Sequence, residues 1–204
     1  MVIIGYSGHS YVVIDIFRSM DKVITSYCDQ EEKSYNPYNL KYLGSEEQDT
    51  VYPRLGKEKY FIAIGMNRIR KKVFNFLTID KGIPMPQNAI HSSAVLAPSI
   101  RMGKGVMIAA NATVNPLVQI GNGAIINTAC IVDHECIIGD FAHICPGATL
   151  AGNVTIGAGS FVGANSVVKQ GVTIGQNVIV GAGCVVIRDI PDDTTVVGNP
   201  QKFI

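Results

Sequence analysis

Acid–base chemistry at neutral pH needs an imidazole beside a carboxylate, and this sequence offers one such run. In Val132-Asp133-His134-Glu135-Cys136, two acids flank a histidine inside a stretch otherwise built from Gly, Ala, Val and Ile. A carboxylate next to an imidazole favours the imidazolium and raises its basicity, which suits a general base. Consecutive residues of a strand point opposite ways, so Glu135 reaches His134 only where the backbone turns. His143 follows nine residues later. A solvated corner with a satisfied histidine is the simpler reading of the same residues. A second feature lies near the N-terminus, where Gly5-Tyr6-Ser7-Gly8-His9-Ser10 follows the apolar run Val2-Ile3-Ile4 and precedes a helical pattern. A strand–glycine turn–helix sequence directs free backbone N–H groups and the positive end of a helix dipole at one point, a setting for a pyrophosphate. Asp29 closes the next apolar run, where an acid can accept hydrogen bonds from a base or ribose. Two glycines instead of the three of the dinucleotide fingerprint favour a ligand smaller than NAD, and the turn alone is equally compatible with a structural role.

These residues must be held by elements, and two rhythms are visible. From Ile90 every sixth residue is aliphatic or Met without interruption: Ile90, Leu96, Met102, Ile108, Val114, Ile120, Ile126, Val132, Ile138, Ile144, Leu150, Ile156, Val162, Val168, Ile174, Val180 and Val186. A period of six matches neither a helix nor an open sheet; it is the period of a parallel β-helix. Three hexads make an eighteen-residue triangular coil with the aliphatic pointing inward, and at roughly 4.8 Å per coil the prism is about 25 Å tall. The small residues that follow the aliphatics, such as Gly121, Gly139 and Gly163, are expected to turn the corners, with Gly at positive φ. His134 and His143 are one and a half hexads apart, so they cannot stack on one edge of the same chain, whereas a site between chains can use both. Outward positions such as Ala109, Ala110, Ile125, Ile131 and Ile137 leave faces that a cyclic homotrimer would bury.

Residues 1–80 run differently. Val2–Ile4, Val23–Tyr27 and Tyr60–Gly65 read as strands, with helices around Val12–Met20 and from Asn67 to Leu77, the latter with basic residues on its solvent face. That order is a βαβ unit and a small parallel sheet. Residues 30–59 are polar and resist assignment, and residues 81–89, with Gly82, Pro84 and Pro86, read as a linker into a prism of residues 90–204. Because the ladder is complete without residues 1–80, the prism is expected to stand alone.

Composition narrows the function classes. A net charge of +1 with 16% charged residues gives no electrostatic footprint for nucleic acid or an acidic membrane. No run of eighteen apolar residues and no signal-peptide pattern is present, and the five cysteines form no CxxC pair, which together lead us to expect a cytoplasmic protein with reduced thiols. Four histidines with no close pair make a poor zinc constellation of the kind a prism-shaped carbonic anhydrase needs, so no metal is expected.

The ladder, the Gly5–His9 turn, the segment Phe61 to Arg70 and the run Asp133 to His143 resemble the left-handed β-helix acyltransferases. More narrowly, they are similar to the sugar acetyltransferases typified by the UDP-4-amino-sugar N-acetyltransferase of bacillosamine synthesis, a group that includes sialic-acid O-acetyltransferases. The resemblance implies a Rossmann-like α/β N-terminal domain, an all-β left-handed prism, acetyl-CoA as donor, a nucleotide sugar as acceptor and active sites between the subunits of a homotrimer. It implies His134 as general base, Glu135 as the residue that raises its basicity, and His143 near the acetyl group. It implies backbone contacts from Ala164 and Ala182 to the pantetheine arm, and a nucleotide-sugar pocket at Ser7, Gly8, His9, Asp29 and Gly65. Gln30 departs from the pattern, standing where the amino-sugar enzyme has a second acid. The reaction expected is direct acetyl transfer to the C4 amine of a UDP-linked 4-amino-4,6-dideoxy sugar. O-acetylation, an acyl-enzyme on Cys136 or Cys145 and a non-catalytic nucleotide-sugar scaffold are the alternatives.

Overall fold

The computed structural model describes all of residues 1–204. The N-terminal part is a four-stranded parallel sheet in the order β3-β2-β1-β4, with β1 at Val2–Ile4, β2 at Ser26–Cys28, β3 at Lys41–Tyr42 and β4 at Tyr60–Ile62. The strands are shorter than their apolar runs, because Gly5 (φ 86°) and the segment after Ile62 leave the sheet to build turns at its carboxyl edge. Helix α1 (Gly8–Ser19) buries Val13, Ile14, Ile16 and Phe17 on one face. It stops where Asp21 takes a φ of 55° and Lys22 N–H turns back onto the Phe17 carbonyl (2.9 Å). The stretch that resisted assignment supplies the edge strand β3 and a short helix, α2 (Tyr52–Leu55). Helix α3 (Asn67–Asn75) continues into a π-helical turn, Phe76–Asp80.

Seventeen two-residue strands follow, from β5 (Ala89–Ile90) through β21 (Val185–Val186), and the aliphatic of every hexad is the second residue of its strand. They pair in parallel with an eighteen-residue offset, as in Ile126↔Ile144 and Val132↔Leu150, and form three flat faces. The first face starts at β5, the second at β6 (Val95–Leu96) and the third at β7 (Arg101–Met102). In the last coil the offset falls to sixteen, Val180↔Val196, and the antiparallel pair β22 (Thr195–Val197) and β23 (Lys202–Phe203) covers the open edge. The corners turn differently from the expectation. From Met102 to Val180 the left-handed residue stands three places after each aliphatic, as at Gly123, Glu135 (φ 62°), Phe141 (φ 58°) and Asn165. The glycine directly after the aliphatic serves close stacking instead: a Cβ on Gly139 would lie 2.6 Å from Ala158 N in the next coil.

The prism shares a packed core with residues 1–80. In the early coils the outer side of its first face, Ala89, Met107, Ala109 and Ile125, is buried in one core with Ile3, Tyr6, Val13, Phe17 and Phe61. Ala109 and Ile125 are therefore covered by the chain's own N-terminal domain and are not free to meet another copy. Ile131 and Ile137, on the other two faces, remain 44% and 45% exposed. The basic side of α3 is not uniformly solvated either. Arg70 is 1% exposed, and all five of its N–H donors are used across the domain junction. Nε donates to Gly123 O (2.7 Å), Nη1 to Ile64 O (3.0 Å) and Gly65 O (2.9 Å), and Nη2 to Asn67 Oδ1 and Phe141 O (both 2.9 Å). Lysine presents three donors from one point and cannot span these carbonyls. Arg70→Lys should therefore lower the unfolding free energy by about 3 kcal/mol or more, through buried carbonyls left without donors. Urea denaturation checks this, and a variant within about 1 kcal/mol of the parent would show that the clasp does not hold the domains together.

Candidate active site

The carboxyl ends of all four N-terminal strands open onto one cleft of about 410 Å³, whose lining includes Gly5, Ser7, Asp29, Glu46 and Gly65. The strand order reverses at β1, between β2 and β4, where ligands of open α/β sheets bind. Ser7 precedes α1, and Ser10 Oγ accepts from Ser7 N–H (3.0 Å) while donating to the Ser7 carbonyl (2.6 Å), which sets the angle at which the turn enters the helix. Gly8 opens the helix toward empty space, since a Cβ there would meet no atom within 4 Å. Asp29 is already engaged within the chain. Its Oδ2 accepts from Tyr6 N–H (2.8 Å), and its Oδ1 accepts from Gln30 N–H (2.8 Å) and pairs with Lys33 Nζ (3.1 Å). It thus shapes the glycine turn as well as lining the cleft.

Gly65 and Met66, after β4, also line a second and larger groove of about 890 Å³ between the β4–α3 turn and the prism. On the prism side the groove carries a stacked column on the first face, His143, Phe161 and Ile179, in successive coils. The two clefts thus meet at Gly65. A Cβ on Gly65 would sit 3.4 Å from His9 Cγ, and the His9 ring centroid lies 6.3 Å from that of His143. The domain junction therefore brings together three residues, His9, Gly65 and His143, that lie far apart in sequence. Burial, reinforced by the Arg70 charge, lowers the pKa of His9 to about 4 and that of His143 to about 3, so both rings are neutral at pH 7. Asn127 Oδ1 accepts from Thr128 N–H (2.8 Å), which orients the amide so that Nδ2 donates to His143 Nε2 (3.1 Å). The ring proton of His143 is then on Nδ1, which is fully buried and faces the Gly65 backbone without closing a hydrogen bond of good geometry.

The turn between β12 (Ile131–Val132) and β13 (Ile137–Ile138) holds the acid-flanked histidine. Glu135 takes a left-handed conformation, and the resulting reversal brings its Oε2 to 3.0 Å from His134 Nδ1. With Nδ1–H donating to Glu135, Nε2 keeps its lone pair, the arrangement a general base requires. Asp133 Oδ1 accepts from His134 N–H (2.8 Å) and from Asn115 Nδ2 (2.7 Å) one coil below, and these bonds hold its carboxyl below the usual carboxylate range. Gly152, one coil above, leaves room for the imidazole, since a Cβ there would be 2.6 Å from His134 Nε2. His134 stands at the corner between the second and third faces, whereas His143 lies on the first face, so one chain does not bring them together. Ala164 and Ala182 lie at successive turns of a further corner, following the first face, and their N–H groups donate to no carbonyl of the chain.

Arg70, Asn115, Asn127, Asp133 and Gly152 were not singled out for these tasks from sequence. The eighteen-residue register would have found two of them, since Asn115 is eighteen before Asp133 and Gly152 eighteen after His134. The cysteines do not resemble activated nucleophiles: all five are free and buried, burial pushes Cys145 up to about 12, and it raises Cys136 as well. No group of three or more His, Cys, Asp or Glu side chains is placed to hold a metal ion, and no helix is long and apolar enough to cross a membrane.

Known proteins match this arrangement along the whole chain. Residues 1–77 match the family model of the PglD N-terminal domain, and residues 153–188 match that of the bacterial transferase hexapeptide (six repeats). A histidine variant of perosamine N-acetyltransferase from Caulobacter crescentus, solved with CoA and GDP-perosamine, is 38% identical, with a TM-score of 0.92 over 100% of this chain and 95% of that one. The acetyltransferase domain of PglB from Neisseria gonorrhoeae, solved with acetyl coenzyme A, is 32% identical, with a TM-score of 0.86 over 100% of this chain and 98% of that one. WeeI from Acinetobacter baumannii, at 23% identity and a TM-score of 0.86, shares the fold. Identity above 30% over nearly the full length of both chains, together with the hexad prism and its N-terminal parallel sheet, places this chain in the hexapeptide-repeat, left-handed β-helix family of acetyl-CoA-dependent sugar N-acetyltransferases.

Proposed function

We propose that the chain acetylates the C4 amine of a nucleotide-linked 4-amino-4,6-dideoxy sugar by direct transfer from acetyl-CoA, with His134 as general base. The resemblance read from sequence implies UDP as the nucleotide, whereas two of the similar structures hold GDP-perosamine. The observation that carries the reading is the 3.0 Å contact between His134 Nδ1 and Glu135, which leaves Nε2 free to accept a proton. The amine attacks the thioester carbon as Nε2 removes its proton, the C–S bond breaks, and coenzyme A departs. The neutral ring of His143, in the wall of the groove, suits a place beside the acetyl group. The free N–H groups of Ala164 and Ala182 suit the amide oxygens of the pantetheine arm. The nucleotide lies across the cleft of Ser7, Gly8 and Asp29, and the sugar runs past Gly65 and His9 into the prism groove. Because His134 stands at the corner between the second and third faces and His143 lies on the first face, the complete site takes them from neighbouring subunits of a homotrimer. The site of action is the cytoplasm, where acetyl-CoA is made and five free thiols persist.

His134→Ala should lower kcat by about 10²–10⁴ while leaving acetyl-CoA binding intact, and a variant of full activity would end the mechanism. Co-refolding His134→Ala with His143→Ala chains should restore activity to about a quarter of the sites, the fraction in which both native residues meet across a cyclic interface. No recovery would place both residues of each site in one chain. Gly8→Val should fold normally, since its side chain meets only open space, yet raise KM for the nucleotide sugar severalfold without changing KM for acetyl-CoA. Unchanged kinetics for both substrates would remove the glycine turn from the site. The two buried imidazoles also make stability depend on pH. Their folded pKa values, about 4 and about 3, lie below the unfolded value of 6.5, so the unfolded chain binds more protons across that window. Their contribution is complete above pH 6.5 and is lost as pH falls toward 3. Urea denaturation at pH 7 and pH 5 should show a drop in the parent that is smaller in His143→Asn, and equal drops would contradict the buried neutral pair.

A further inference from the structure

One buried acid in the nucleotide cleft is used by nothing described so far. Glu46 is 4% exposed, yet it lines the same cleft as Ser7, Asp29 and Gly65. Its carboxylate makes no ion pair and no hydrogen bond to another residue. The nearby cations are engaged elsewhere, Lys33 with Asp29 and Lys72 with Glu47. Desolvation raises its pKa, offset in part by its own backbone N–H, so the carboxylate has no donor from any other residue. The chain delivers it there by a specific device: Gly44, at φ 102°, reverses the backbone after β3 so that Ser45 and Glu46 turn inward.

The position of Glu46 along the sheet says what part of a ligand it faces. In the order β3-β2-β1-β4, the glycine turn after β1 meets the pyrophosphate and the acid after β2 stands beside the ribose. The loop after β3 lies one strand further out, on the side away from Gly65 and His143, where only the base of a nucleotide sugar remains to be placed. A carboxylate accepts two hydrogen bonds side by side and donates none. Among the common bases only guanine presents two adjacent donors, N1–H and the N2 amino group. Uracil and thymine offer one N–H between two carbonyl oxygens, and a carbonyl oxygen against this carboxylate would be repelled. Guanine also carries O6 next to N1–H, and Gln30, in the same cleft, has a second amide N–H available beside the one it directs at Ser45 Oγ (3.4 Å).

From these placements we propose that Glu46 is the base-reading residue and that the acceptor is a guanosine diphosphate sugar, Glu46 taking N1–H and N2–H while Gln30 serves O6. The inference rests on the acceptor being a nucleotide sugar, and it narrows which one.

Calorimetry of the full-length protein with GDP, UDP, ADP and TDP tests it, with coenzyme A binding and the melting temperature as controls for folding. GDP should bind at least tenfold more tightly than the other three. Glu46→Gln, which sets an amide N–H against a guanine donor, should weaken GDP about tenfold to a hundredfold while coenzyme A binding and melting stay as in the parent. Glu46→Asp, which keeps the acceptor pair but withdraws it, should fall between. UDP or TDP binding as tightly as GDP would overturn the assignment, as would GDP affinity indifferent to Glu46→Gln. Thiol release from acetyl-CoA with amino sugars on each nucleotide separates this from the enzymatic reading. Turnover without preference for GDP sinks only the guanine assignment. GDP selectivity with no thiol release on any amino sugar would uphold Glu46 and sink the acetyl-transfer reading.

Discussion

The relation of the two domains depends on one guanidinium. Arg70 is a charged group in a nearly dry junction with no carboxylate partner, a placement that costs free energy unless every donor is satisfied. It is satisfied by four backbone carbonyls and one side-chain amide oxygen, two of the carbonyls from the turn after β4 and two from corners of the prism. Those are the same segments that line the groove: Gly65 on one side and Phe141 on the other. A planar fork of fixed geometry therefore sets the distance between the N-terminal domain and the first prism face. It also places a fixed positive charge beside His9 and His143, which adds to burial in keeping both rings neutral.

Two kinds of histidine result, and their difference is one of environment. His143 and His9 are buried, uncharged and held at the junction, suited to hydrogen bonding at a fixed protonation state. His134 is about half exposed and coupled to Glu135, suited to taking up and releasing a proton. The prism makes both from the same six-residue unit. A residue in a strand of a covered face becomes a buried ring, while one in the turn between faces becomes an exposed ring with a carboxylate neighbour. The left-handed conformation at Glu135, unusual for a residue other than glycine or asparagine, recurs at the corners from Gly105 to Gly183 and is put to use here for the dyad.

The covering of the first face has a second consequence. Ala109 and Ile125 pack against α1 and the sheet behind it, so the interior of this protein extends through one wall of the prism. Ile131 and Ile137 lie outward on the other two faces, which flank the corner that carries His134.

Sequence by itself determined which residues point into the prism. Its period is rigid, because an insertion in any hexad would rotate every later aliphatic off the interior, and each inward position from Ile90 to Val186 lies where the count puts it. The parallel sheet, the glycine turn and the His134–Glu135 contact were legible for the same reason, being local consequences of spacing and turn chemistry. What only the tertiary structure decided is how the two patterns meet. A basic helix reads as solvated until Arg70 finds carbonyls on another domain, and Gly, Ala and Ile on a flat face read as a subunit interface until α1 lies on them. The pairing of His9 with His143 spans 134 positions and follows from no local rule. Glu46 sits in a stretch without periodicity, and its burial depends on Gly44 turning it inward and on the carboxyl edge of the sheet closing around it. Periodicity fixes what a residue does relative to its own element, whereas contacts between elements depend on shape and on the satisfaction of buried polar groups, which single positions do not encode.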